Sequence, residues 1–360
     1  MIYDVAIVGA GPAGSTCAAL CAAGGLSTLL LERAVFPRDK VCGDCLNPAA
    51  WPVLERLGVA DAVVEQAHSR LERVEFIGLD QRVIGFQLSV GPGSEIAIKR
   101  RLLDQLLLER AMENGAHVLQ NTAVTSLDHG WQIQTPQGPF SAHHLIAADG
   151  RNSTVARMLS LFPAMQKDRV ALQAHIAAPA DFGEKVVLQF VREGYCGLAS
   201  IGDALVNLCL VSRPGDLGSI RTWAEAEFGI ARNHRWNTIT PLSRASVPPA
   251  HERLLLIGDA ARVVEPFTGE GIYYALATGA LAADFLTTGR PLEEFADAQR
   301  RLYRGRLWVN QLAKQACLHP RLATTALRAL RFRPELLRLL TAKVTGEATL
   351  EAAPAGAAKR

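Results

Sequence analysis

The stretch Lys40-Val41-Cys42-Gly43-Asp44-Cys45-Leu46-Asn47-Pro48 places two thiols, Cys42 and Cys45, in a CxxC spacing. That spacing suits half of a metal site, a redox dithiol, or one functional cysteine beside an incidental neighbour. A metal centre needs a second ligand pair. Cys196 and Cys209 stand too far apart for a knuckle and the nine histidines are scattered, so no metal is expected. A redox dithiol puts its attacking cysteine at a helix N-cap, where the dipole favours thiolate. Here Asn47 and Pro48 read as the N-cap and first position of a helix ending near Gly58, which leaves both cysteines in the loop before it. Asp44 between them also disfavours thiolate, so the dithiol stays a lesser alternative.

The elements that position this loop precede it. Val5 to Val8 is an apolar run that reads as a buried parallel strand, followed by Gly9, Gly11 and Gly14 in GxGxxG and by an Ala-rich helix that Gly25 ends. In such a turn the first glycine permits the tight bend, the second admits a pyrophosphate against the backbone, and the third lets the helix pack on the strand. Ser27 to Leu31 forms the next strand, and Glu32 at its end can accept both ribose hydroxyls. A 2′-phosphate would be repelled there, so FAD or NAD is expected rather than NADP. No second strand–GxGxxG–helix unit follows; the segment at 90–95, VGPGSE, has no buried strand before it and no apolar helix after it. Reducing equivalents are therefore expected from transient NAD(P)H binding or from a partner reductase.

With 360 residues, 49% hydrophobic and 20% charged, the chain has the composition of a two-lobed globular enzyme. A formal charge of +3, without a basic stripe interleaved with aromatics, excludes nucleic acid as a partner. Seven cysteines, an odd number without a framework, fit a reducing compartment. Val5 to Leu31 lacks charge and mimics a membrane span, but GAGPAG breaks it and no Lys or Arg precedes it. A cytoplasmic protein is expected.

Two later segments are more specific: LIAADGRNSTVAR at 145–157 and LLLIGDAARVVEPFTGEGIYYALATGALAA at 254–283. They resemble the DGxxSxxR and GDAAxxxxPxxGEG signatures of the aromatic-hydroxylase (para-hydroxybenzoate hydroxylase-like) fold, and within it the geranylgeranyl reductase family. FPRDKVCGD and the KRRLLD segment, with Arg100 four before Asp104, resemble that family too; the likeness runs in order over about residues 1–300. It implies FAD as cofactor and an α/β fold: a Rossmann-like FAD-binding domain (1–72, 96–160 and 250–300), an inserted mixed β-sheet substrate lobe (73–95 and 161–249), C-terminal helices (301–345) and a flexible tail (346–360).

The implied FAD contacts are Gly9, Gly11, Pro12, Ala13, Gly14, Glu32, Arg33, Gly43, Arg100, Asp149, Gly150, Gly258, Asp259, Pro266, Gly269, Gly271 and Ile272. Asp259, at a strand end, can bond the ribityl chain or hold pyrophosphate through water. The helix starting near Gly271 and Ile272 aims its N–H groups at the flavin N1 and C2 carbonyl, and Pro266 lies over the ring. Asp149 has an alternative as a helix N-cap. The resemblance also lays Cys42, Gly43 and Asp44 along the isoalloxazine, where Cys42 or Asp44 would supply a proton. Cys45 is expected to be small and buried.

Alternating segments at 73–80, 169–178, 185–211 and 236–242 read as strands of the substrate lobe. By analogy Tyr195, Cys196 and Pro241 approach the flavin; otherwise they are lobe core. GYCGLASIG stands where flavin halogenases carry GWxWxIP, which disfavours halogenation. The stretch at 321–344 sets six basic residues among Leu and Ala: either helices packed on the FAD lobe with a charged outer face, or a surface for an anionic membrane. The expected activity is hydride transfer through FAD N5 to or from a C–C double bond of a hydrophobic, isoprenoid- or polyketide-like molecule, with association to a membrane or a carrier as an open alternative. Oxygen insertion through a flavin hydroperoxide is the alternative, disfavoured because a nearby thiol is oxidisable. A non-catalytic FAD-binding sensor is the third class.

Overall fold

The computed structural model describes residues 2–66, 68–128, 130–162 and 169–345; the tail expected at 346–360 lies outside them. The opening unit is β1 (Ile2–Val8), α1 (Pro12–Ala23) and β2 (Thr28–Leu31). Val5 to Val8 are buried and paired in parallel on both sides, which explains an apolar run instead of an alternation. There follow β3 (Cys45–Leu46), α2 (Trp51–Leu57), α3 (Ala60–Glu65), β4 (His68–Arg70), β5 (Arg73–Ile77), β6 (Val83–Gln87) and β7 (Ile96–Ile98). The Asn47 side chain accepts from the Ala49 N–H and starts a 3₁₀ turn leading into α2, which Gly58 ends in a left-handed conformation.

Next come α4 (Arg100–Glu113), β8 (His117–Leu119), β9 (Ser126–Asp128), β10 (Gln132–Thr135), β11 (Gly138–Ala147) and α5 (Thr154–Met158). The second lobe supplies β12 (Val170–Ala177), β13 (Lys185–Val191), β14 (Gly194–Ser200), β15 (Leu205–Ser212), α6 (Leu217–Glu227) and β16 (Asn237–Ile239). The chain returns through β17 (Ala250–His251), β18 (Leu254–Leu256) and α7 (Gly271–Thr287), and finishes in α8 (Phe295–Tyr303), α9 (Leu307–Leu318), α10 (Pro320–Leu330) and α11 (Pro334–Thr345).

The first sheet runs β17-β18-β11-β1-β2-β8, with β10 and β9 attached to β11. α7 packs on α1 with no side-chain spacer: a Cβ on Gly279 would stand 2.4 Å from the Ala13 carbonyl oxygen. The second sheet runs β16-β12-β15-β14-β13-β5-β6, antiparallel except where β5 meets β13. A third, small sheet, β3-β7-β4, joins the two lobes.

The second sheet has two different faces. Leu172, Ala174, Cys196, Leu208 and Leu210 pack beneath Ile220 and Ala224 of α6. The alternate residues point to the opposite side, toward a large cavity. There Phe190, Tyr195 and Val211 meet Cys317, Ala323 and Leu327 of α9 and α10. The C-terminal helices therefore pack on both lobes: on the substrate lobe through Cys317, Ala323 and Leu327, and on the FAD lobe through the turn at Pro266–Thr268, Glu270 and Asn47. Their outer face is not purely charged, since Leu322, Leu336 and Leu339 are exposed.

Candidate active site

A cavity of about 860 Å³ extends from the glycine loop, past Cys42, to the C-terminal helices. Gly9, Gly11, Pro12 and Ala13 line its nucleotide end, with Glu32 and Arg33 at the end of β2. Gly9 has φ +100°, and a Cβ on Gly14 would lie 1.8 Å from the Gly9 carbonyl oxygen, so Gly14 serves helix–strand contact rather than the ligand. Glu32 accepts the Ala10 N–H at 2.8 Å and the Ala34 N–H at 2.9 Å, one on each oxygen. Each oxygen keeps a second acceptor position for a diol.

Positive charge gathers beside this loop. Arg38 and Arg100 both hold the buried Asp104, Arg38 at 3.1 Å and Arg100 in a two-bond fork at 2.7 and 2.8 Å. Burial opposes the charge on Arg100, while Asp104 first and Cys42 beside it hold the guanidinium above its ordinary value. Lys40 also lines the cavity; desolvation and the charges of Arg38, Arg100, Arg151 and Arg33 push its ammonium pKa down. Such an excess of cations fits a bound pyrophosphate. Arg38 and Arg151 are not among the expected contacts, although they lie inside the FPRDKVCGD and LIAADGRNSTVAR segments.

The remaining FAD positions divide. Asp149 Oδ2 accepts from Thr154 N–H at 2.6 Å and Val155 N–H at 3.2 Å, so it does cap α5, with Ser153. Its Oδ1 is buried without a protein partner, and burial raises its pKa. An orphaned acceptor at the wall of a cavity is what a ligand hydroxyl or its water would satisfy. Gly150 and Asp259 also line the cavity, Asp259 bonded to Arg151 at 3.2 Å. Gly258 is placed otherwise: it sits behind the wall, and a Cβ there would stand 3.0 Å from the Ala13 Cβ.

Pro266, Gly269, Gly271 and Ile272 line the opposite wall, where the unpaired N–H groups of the first turn of α7 lie. Glu270 anchors that turn from behind, fully buried and accepting from Asn310 at 2.7 Å and Tyr274 at 3.2 Å. Orphan acceptor, cation cluster, Gly11 without a side chain and the α7 N-terminus together fit an FAD.

The Cys42 loop departs from expectation in one respect. Cys42 and Gly43 line the cavity, but Asp44 does not. Asp44 is 1% exposed, has φ +60° and turns toward the substrate lobe. Its Oδ2 accepts from His175 Nε2 at 2.9 Å and Asn207 Nδ2 at 2.7 Å, and Oδ1 accepts the Arg100 N–H at 3.3 Å. Asn207 also donates to the Cys42 carbonyl at 2.7 Å. Asp44 is thus the anchor of the loop, and Asn207 and His175 are its partners across the lobe boundary. Burial raises the Asp44 pKa, against the opposing bond and charge of His175.

Cys42 lines the cavity from this loop, as Lys40 does. Desolvation first, then the Asp44 charge, push its thiol up against the opposing pull of Arg100, so it is protonated at neutral pH. Cys45 also lines the cavity and is half-buried rather than buried; its thiol is pushed well above normal, chiefly by burial and Glu95. Both cysteines are free thiols.

In the substrate lobe, Tyr195 faces the cavity edge-on to Phe267, with ring centres 5.1 Å apart. Cys196 points the other way, into the core beneath α6, because adjacent strand residues occupy opposite faces. Pro241 lies off the cavity, its carbonyl accepting from Arg151 at 3.3 Å, while Ile239 and Leu242 flanking it line the wall.

A family model described as an FAD binding domain matches residues 2–192. Among curated proteins, the menaquinone reductase of Mycolicibacterium smegmatis is 31% identical over 314 residues, covering 79% of this chain and 76% of that protein. Digeranylgeranylglycerophospholipid reductase 2 of Methanopyrus kandleri is 27% identical over 345 residues, covering 87% and 84%. A flavoprotein/dehydrogenase of Cytophaga hutchinsonii shares the fold, with TM-score 0.82 at 20% identity over 96% of this chain and 93% of that one. With the cavity geometry, these likenesses show that the chain belongs to the FAD-binding-domain family, as an FAD-dependent oxidoreductase of the geranylgeranyl reductase type.

Proposed function

We propose that the protein reduces a carbon–carbon double bond in the isoprenoid chain of a lipid. The observation that supports this most is the shape of the cavity: beyond Cys42 it continues as an apolar chamber lined by Phe76, Leu188, Phe190, Leu327, Leu337 and Leu340. A chamber walled by such residues accepts a long hydrocarbon chain and offers no partner for a polar one. The relatives named as reductases of menaquinone and of digeranylgeranylglycerophospholipid point to the same substrate class.

Bound FAD supplies two-electron storage and hydride delivery. The chain's own residues do the rest. Arg38, Lys40 and Arg100 surround the site for the pyrophosphate, and the first turn of α7 favours negative charge on the reduced ring. Asn207, His175 and Asp44 hold the Cys42 loop against the cavity. The protonated Cys42 thiol holds the proton that must join one alkene carbon when a hydride joins the other. Tyr195 and Phe267, packed edge to face, add apolar wall to the same cavity. Electrons come from NAD(P)H binding transiently or from a partner reductase.

The test is anaerobic: protein carrying reduced FAD is mixed with menaquinone or a geranylgeranyl lipid in detergent. Expected are flavin reoxidation and a product that, after any quinol is reoxidised in air, stays heavier by two hydrogens located in its isoprenoid chain. A flavin that reoxidises only with oxygen, and leaves an oxygen atom in the product, would overturn the reading in favour of a monooxygenase.

A further inference from the structure

The outer face of the C-terminal helices is used by nothing described above. Leu322 is 68% exposed, Phe332 70%, Leu336 47% and Leu339 58%. On the preceding helix Trp308 and Leu312 are each 51% exposed, four residues apart and so on one side of α9. α9, α10 and α11 pack in succession, so these side chains belong to one helical layer. The same stretch carries the exposed Arg321, Arg328, Arg331, Arg333, Arg338 and Lys343, against a single acid between 320 and 345, Glu335. Arg328 is engaged by Asp80 at 2.8 Å. Exposed apolar side chains interspersed along the helices with exposed basic ones are the composition of a surface that rests in the headgroup region of an anionic bilayer.

The cavity reaches the same layer. Leu312 and Ala326 are exposed and also line the cavity, with Leu330, Leu340 and Thr341 beside them. The apolar chamber thus opens among α9, α10 and α11.

We infer that this face docks on an anionic lipid bilayer and brings the cavity mouth to the membrane, so that an isoprenoid chain passes from lipid to chamber without crossing water. The role of the mouth rests on the proposed substrate class; the docking itself does not.

The test is flotation of the full-length, FAD-loaded protein with vesicles of phosphatidylcholine alone or mixed with phosphatidylglycerol. Binding is expected to the mixed vesicles only, weakening as salt rises. The triple change Phe332→Ser, Leu336→Ser and Leu339→Ser lines no part of the cavity. It is expected to lower vesicle binding by about tenfold or more while FAD content and turnover of detergent-dispersed substrate stay unchanged. Arg331→Glu, Arg333→Glu and Arg338→Glu together are expected to abolish the preference for anionic vesicles. Absence of flotation, equal binding to neutral vesicles, or unaltered binding by either variant would overturn the inference. So would a concentration-dependent dimer that the triple-serine variant dissolves, because a second copy would then cover the face. Flotation requires no turnover: a protein that floats as expected but reduces no isoprenoid double bond sinks the functional reading alone, and one that reduces dispersed substrate but ignores vesicles sinks this inference alone.

Discussion

At the nucleotide end of the cavity the ligand would meet mostly backbone and fixed charge: Gly9 to Ala13, the α7 N-terminus, Glu32 and the arginines around Asp104. At the far end it meets apolar side chains from strands and helices more than a hundred residues apart, such as Phe76, Phe190 and Leu327. The first end tolerates no change in shape, because its contacts are close and directional. The second end is a volume, and side chains of similar size can exchange there at small cost. The Cys42 loop lies between them, cavity-facing on one side and tied to both lobes by Asp44 on the other.

This contrast can be broken most sharply at the first end. Gly14→Ala forces a methyl into the Gly9 carbonyl, and a loss of about 3 kcal/mol or more is expected, with FAD absent from the purified protein. Absorbance of bound flavin and a thermal melt check it. Asn207→Leu removes both of its own bonds to the loop and leaves Asp44 with His175 and the Arg100 N–H. About 2–3 kcal/mol of stability is expected to be lost, with turnover falling more than FAD content, as a denaturant melt and a rate assay would show.

Arg38→Ala removes one of two cations on Asp104 and is expected to weaken FAD binding by about tenfold, read by flavin fluorescence titration. Cys42→Ser keeps the loop and the FAD but is expected to slow turnover by about ten- to a hundredfold. In the parent protein that contribution falls as pH rises through the Cys42 pKa, which lies above the ordinary thiol value of 9.0; the pH–rate profile of the variant should lack that limb. The smallest effect belongs to the chamber: Leu327→Met should alter the rate by less than about twofold. A large loss there would mean that the chamber recognises shape and not hydrophobicity alone.

The sequence contained enough to locate the βαβ unit, the acid at its end, the Asn47 cap, the lobe strands and the α7 start, because each is set by neighbours in the chain: a turn needing glycine, a run needing burial, a cap needing a short acceptor. It also singled out the Cys42 loop. Which residues of that loop face the cavity was not readable. Asp44 turns away because His175 and Asn207 arrive from β12 and β15, and no local spacing encodes a partner 131 or 163 positions distant. Cys196 and Tyr195 are neighbours in sequence, and only the packing of α6 on one face decides which of them is core. Likewise the basic pattern of the last helices was visible, but their place as the cavity's outer wall follows from the apolar surface that the substrate lobe leaves uncovered, which exists only once the strands have paired.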